Sequence, residues 1–225
     1  MKTRSILLTS LLSFAVLSTA IAAPESYTID PVHSSITFSV RHLGVSSVKG
    51  RFTEFSGSIF YDEADVTQSS ASVVIKAASI NTDNPQRDEH LRGADFFDVE
   101  KYPEIRFRTT AIRKDGDKLT AVGFLVMHGN TKEIEIPFEI VGKTTDPWGK
   151  VRLGFEGHTT INRQDFGISY SKMLDNGSLV IGNDVKIELA IEATRNEPAG
   201  PPAKPAKEAK PAEANEKQAS EKSDN

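Results

Sequence analysis

The sequence predicts an all-β protein built on an eight-stranded antiparallel barrel. Three observations carry that expectation. Apolar and polar residues alternate with period two rather than 3.6, most cleanly at Ile134, Ile136, Phe138 and Ile140 and again at Val185, Ile187, Leu189 and Ile191. Short turn signals separate the later runs, and short turns join antiparallel neighbours. Eight such strands with one apolar face are best satisfied by curling into a barrel, which removes the sheet edges.

The elements follow in chain order. Residues 1–22 read as a signal peptide: Lys2 and Arg4 begin it, a mostly apolar run from Ile6 to Ile21 follows, and Ala20-Ile21-Ala22 offers the small residues a signal peptidase requires. Cleavage after Ala22 would leave Ala23 first, and the domain expected over residues 23–195 is long enough for a core that needs neither disulfide nor metal. Eight strands are expected near 27–42, 48–61, 70–80, 102–113, 117–127, 131–142, 151–161 and 183–193. Between the third and fourth, Asn84 suits a helix cap, Pro85 the first helical position and Gly93 the residue past the end, so 85–92 should be a short crossing helix. Asp115-Gly116, His128-Gly129-Asn130 and Asp146-Pro147-Trp148-Gly149 are tight-turn signals that make strands four to seven a meander. Trp148 in the last of these is expected to pack at the rim. Asn162 to Gly182 is longer than a hairpin loop, and such segments often bind or cover ligands. Residues 196–225 hold five Pro, seven Ala, five Lys, six acidic residues and no aromatic residue, which reads as a disordered tail.

Composition narrows the chemistry. The 225 residues carry 27 basic and 31 acidic side chains, a formal net charge of −4, which leaves no electrostatic footprint for nucleic acid. Without cysteine there is no disulfide, thiol nucleophile or zinc–thiolate site. The five histidines show no zinc-ligand spacing, so no metal is expected. Asp88, His90 and Asp95 have the residue types of an acid–base group, but on a short charged helix they are expected to satisfy one another and cap the barrel. Asp165-Phe166-Gly167 matches the magnesium-binding tripeptide of kinases without any of its partners, and is read as chance. What remains is the barrel interior, which at eight strands is either just filled or able to hold one small ligand. Ala71, Ala121, Gly57, Gly123 and Gly157 interrupt the large inward residues and are expected to leave a slot.

Several blocks resemble the YceI-like proteins. They are Ile29-Asp30-Pro31-Val32-His33-Ser34, Val40-Arg41-His42-Leu43-Gly44, and Val48-Lys49-Gly50-Arg51-Phe52 with Phe55-Ser56-Gly57. The most specific is Arg87-Asp88-Glu89-His90-Leu91-Arg92, followed by Asp95-Phe96-Phe97-Asp98 and Lys101-Tyr102-Pro103. Asp146-Pro147-Trp148-Gly149, Gly154-Phe155 and Ile161-Asn162-Arg163-Gln164-Asp165-Phe166-Gly167 complete the match over about 27–193. Gly93, where the family often has Ser, and the tail depart from it.

The resemblance implies an extended lipocalin-like barrel that carries or stores a polyisoprenoid or other long-chain amphiphile, such as an isoprenoid quinone, polyprenyl phosphate or fatty-acid derivative. It implies no catalytic residues, no cofactor beyond the bound lipid, a homodimer in several members, transient membrane contact and a periplasmic location. With the alternation, it places Phe38, Val40, Phe52, Ile75, Phe107, Phe138, Phe155 and Ile187 on the lining, and His42, Arg87, His90 and Arg92 at the mouth. Two alternatives stay open: a stress-protective protein with a filled barrel, and a hydrolase using Asp88 and His90.

Overall fold

Period-two alternation becomes strand wherever it occurs, but three of the eight runs are interrupted. The structure is a computed structural model, and it describes residues 24–173, 177 and 179–197. The first expected strand is two, β1 (Glu25–Ile29) and β2 (Ser35–His42). Pro31 has no N–H to give a ladder, and Asp30 Oδ1 accepts the Val32 N–H at 3.0 Å, so the chain turns instead of extending. The second is likewise β3 (Ser46–Phe52) and β4 (Phe55–Tyr61), broken at Thr53-Glu54. The third is β5 (Ser70–Lys76), then a single 3-10 turn, then the two-residue β6 (Ile80–Asn81). The helix α1 (Pro85–Arg92) falls where the caps place it, with Asn84 Oδ1 accepting the Arg87 N–H at 3.0 Å. The rest are β7 (Glu104–Asp115), β8 (Lys118–Met127), β9 (Asn130–Thr145), β10 (Val151–Asn162) and β11 (Ile181–Arg195).

All strand pairs are antiparallel, and β7 through β11 form the expected meander extended by one strand. Its turns use left-handed backbone where the sequence allows. His128 and Gly129 both have positive φ between Met127 and Asn130, the two-residue hairpin geometry. Asp146 Oδ1 accepts the N–H groups of Trp148 and Lys150, fixing the β9–β10 turn. Trp148 does not pack at the rim as expected; it is exposed.

Closure comes from β1. It pairs with β4 on one edge and with the end of β11 on the other, Tyr27 to Ile29 facing Ala193 to Arg195, so β1, β4, β5 and β7 to β11 make a ring of eight. The pairing runs one residue past β11, where the Asn196 N–H donates to Ser26 O at 2.8 Å. The other half of the same β11 edge pairs with β2, from which β3 and β6 continue as a flap. The eight-stranded barrel is therefore present, made of different segments than the sequence divided. Near the closed end Tyr27, Leu153 and Ala193 are fully buried core residues. The segments read as signal peptide and, from residue 198 on, as tail lie outside the described residues, as does part of the 162–182 stretch.

Candidate functional site

Side chains do not fill the barrel. A cavity of about 720 Å³ occupies the half beside α1 and the flap. A second, of about 130 Å³, lies toward the closed end, and the two share Val73, Phe107, Ile136, Leu189 and Ile191 as wall residues. The walls follow from alternation: on β11 Val185, Ile187, Leu189 and Ile191 turn inward, while Lys186 and Glu188 lie on the other face.

Of the eight lining residues expected from sequence, Phe38, Val40, Phe52, Ile75, Phe107 and Ile187 border the larger cavity. Phe138 and Phe155 border only the smaller one, their ring centroids 6.3 Å apart. The small residues divide in the same way. Ala71, Ala121 and Gly157 line the inner cavity, and a bulge in β7 between Thr109 and Ala111 sets the register there. Gly57 and Gly123 leave no slot: a Cβ on Gly123 would strike the Phe107 ring, and one on Gly57 would strike Ile29 Cδ1. These glycines let neighbouring side chains lie flat across the strand, and Gly50 does the same beneath the Phe38 ring.

The mouth lies at the α1 end. His42, Arg87 and His90 border the cavity there, as the sequence suggested. Arg92 does not. Its guanidinium donates to Ala78 O at 2.8 Å and to Ile80 O at 3.0 Å, holding the helix onto the β5–β6 segment. Arg87 also tethers, from Nε to Thr82 Oγ1 at 2.7 Å and from Nη2 to Thr82 O at 2.8 Å. Asp88 is buried and accepts from the Thr82 N–H at 2.8 Å and from Thr82 Oγ1 at 2.5 Å. His90 turns away from Asp88: Nε2 lies 3.2 Å from Asp95 Oδ2, and the ring stands edge-on to Phe96 and Tyr170, 5.0 and 5.3 Å between centroids. Asp88 and His90 are not assembled as the acid–base pair of the hydrolase alternative: Asp88 is bonded to Thr82 and His90 to Asp95.

Sequence reasoning missed the residues supplied by the 163–173 stretch. Arg163 borders the cavity at only 4% exposure. It donates to Ile168 O at 2.7 Å, Gly182 O at 3.0 Å and Asn183 Oδ1 at 3.1 Å, and so pins that segment to β11. Burial pushes its pKa down from the ordinary arginine value. Tyr170 and Ile168 add to the wall. The available signal was the Ile161–Gly167 block, whose buried arginine has no period to betray its direction.

At the far end, ligand-type atoms of Asp30, His33 and Glu192 gather within 4.8 Å of one another. Arg152 Nη1 already donates to Asp30 Oδ2 at 2.7 Å and to Glu192 Oε1 at 3.1 Å, with Nε on Asp146 Oδ2 at 3.0 Å. The cluster is an ion-pair network across the closing turns. His33 and Arg152 hold the Asp30 carboxyl down at about 2.

A family model for the YceI-like domain matches residues 27–193. The chain belongs to the YceI-like family. A UPF0312 protein of Photorhabdus laumondii is 40% identical over 149 residues, covering 66% of this chain and 78% of that relative. Another from Pectobacterium atrosepticum is 34% identical over 190 residues, covering 84% and 96%. Among solved structures, a YceI protein of Campylobacter jejuni is similar at TM-score 0.61 and 35% identity, over 70% of this chain and 90% of that one. A polyisoprenoid binding domain from Saccharophagus degradans shares the fold at TM-score 0.57 and 18% identity, over 76% and 99%. This YceI-like barrel therefore has the architecture the sequence resemblance implied, with α1 crossing between β6 and β7.

Proposed function

We propose that this YceI-like protein binds one long-chain amphiphile, of isoprenoid or similar type, and carries or stores it in an exported compartment. The observation that carries the reading is the unfilled, largely apolar interior of about 720 Å³ with its charged and imidazole groups, among them His42, Arg87 and His90, gathered toward the α1 end. An apolar tail withdrawn from water gains about 0.8 kcal/mol per buried methylene. A few polar groups at the rim, among them His42, Arg87 and His90, orient the head. The fold shared with a polyisoprenoid binding domain supports the same class of ligand. The filled-barrel alternative has no support in this interior.

The test is organic extraction and mass spectrometry of the protein purified from its native compartment. One long-chain amphiphile at near-equimolar amount is the expected result. Protein that is empty, and that also takes up no added prenol, quinone or fatty acid, would end the reading. Export is tested separately by sequencing the mature N-terminus, which should begin at Ala23; a mature chain retaining Met1 would refute it.

A further inference from the structure

Large apolar side chains left in water close to a lipid-sized opening ask for a partner. The β2–β3 turn presents Leu43 and Val45, the latter 82% exposed, immediately after the rim residue His42. Leu43 sits at φ 55, a left-handed conformation that a branched apolar residue rarely adopts and that Asn or Gly would hold with less strain. Its N–H donates to Val180 O at 2.9 Å, and Val180 in turn borders the cavity. On that neighbouring segment the Val180 N–H donates to Lys172 O, and Met173, 71% exposed, bridges to Leu179. The tip is thus a small apolar prominence stitched from two segments on one side of the opening. Arg41 and Lys172, both exposed, flank it.

We infer that this tip docks the protein on an anionic phospholipid bilayer, with Leu43, Val45 and Met173 entering the interface and Arg41 and Lys172 against the headgroups. This rests on the proposed ligand reading for its purpose, since a lipid passing from bilayer to cavity would then cross no water. Apolar burial and attraction of basic side chains to anionic lipid are the two contributions that hold such interfacial elements. The opposite end also exposes apolar residues, Val32 and Trp148, but they stand beside the Asp30, Asp146 and Glu192 carboxylates and away from the cavity mouth. A bilayer with negative charge matches the Arg41 and Lys172 side chains that flank the tip.

The experiment is flotation of the full chain with phosphatidylcholine vesicles, with and without phosphatidylglycerol. Unaltered protein should float with the anionic vesicles and much less with the neutral ones. Val45→Asp/Met173→Asp should lower the bound fraction by about tenfold or more, since it replaces buried apolar area with charge repelled by the lipid. Lys172→Gln should weaken anionic binding by a few-fold, and Trp148→Asp should leave it unchanged. A fluorescent long-chain fatty-acid analogue titrated in buffer should bind unaltered protein and the double variant equally, because neither substituted residue borders the cavity. Protein that floats but takes up no analogue keeps the docking surface and loses the carrier. No flotation, flotation abolished by Trp148→Asp, or flotation indifferent to the double variant would overturn the inference. In the first case the patch is left to a protein partner.

Discussion

Ligand length gives a direct reading of how far the cavities run, and Ala121→Trp is the substitution that should shorten it. On β11 the cavity wall extends from Ile181 to Ile191. Ten residue steps of about 3.3 Å, inclined roughly 40° to the barrel axis, span about 25 Å. An extended chain with C–C bonds of about 1.5 Å advances about 1.25 Å per carbon, so about 20 carbons fit along the axis. Each methylene added below that length should tighten binding by about 0.8 kcal/mol, roughly fourfold, and carbons beyond it should add little. The inner cavity accounts for the stretch from Phe107 to Ile112 on β7, about 13 Å of axis or about 10 carbons. Ala121 faces that cavity. An indole there would fill it and move the break to about 10 carbons, with affinities below the break unchanged. The assay is competition of a straight-chain fatty-acid series against a fluorescent analogue, below the critical micelle concentrations, for both proteins. Equal break points, or affinities that do not climb with length, would show that tails do not thread the two cavities in series.

Other outcomes follow from particular contacts. Leu153→Ala, in the close-packed closed end, should cost about 2–5 kcal/mol by denaturant unfolding, whereas Phe138→Ala should cost less without ligand because its ring already borders empty space. Asp88→Ala strands the buried Thr82 N–H and should cost about 1–3 kcal/mol, with faster ligand release because α1 loosens over the mouth. Tyr27 hydroxyl, Lys143 and Arg195 hold the Glu25 carboxyl at about 2, below its ordinary 4.5. Its contribution is complete above about 4.5 and is lost as pH falls toward 2, so the thermal midpoint should drop across that window and Glu25→Gln should flatten the drop.

Much of the barrel was legible because alternation and turn chemistry are local. β9, β10 and β11 could be read from period two, and α1 from Asn84 and Pro85, since cap and ring geometry act within a few residues. The division of the first run into β1 and β2 was less visible: a single proline and an aspartate side chain decide it, while apolar residues continue on both sides. Facing was legible, depth was not. Phe138 and Phe155 point inward as read, yet which cavity they border depends on where β1 closes the ring. Arg92 was misplaced because a short charged helix has no apolar stripe to declare its inner face, and only the carbonyls of Ala78 and Ile80 settle it. Arg163 and Tyr170 lie on an irregular path that no periodicity describes.

The two partners of β11 give the vessel a taper. Near Arg195 its free edge is taken by β1 and the girth is eight staves; near Ile181 the edge belongs to β2, and the wall widens through β3 and β6. Diameter grows with the number of strands around it, so the interior is a funnel, and the two volumes of about 720 and 130 Å³ are its cone and its stem. A guest with a slender end and a broad end fits a funnel one way round. Polarity of loading is then written into girth before any rim residue touches a head group, and the broad end is left where the cargo would be handed over.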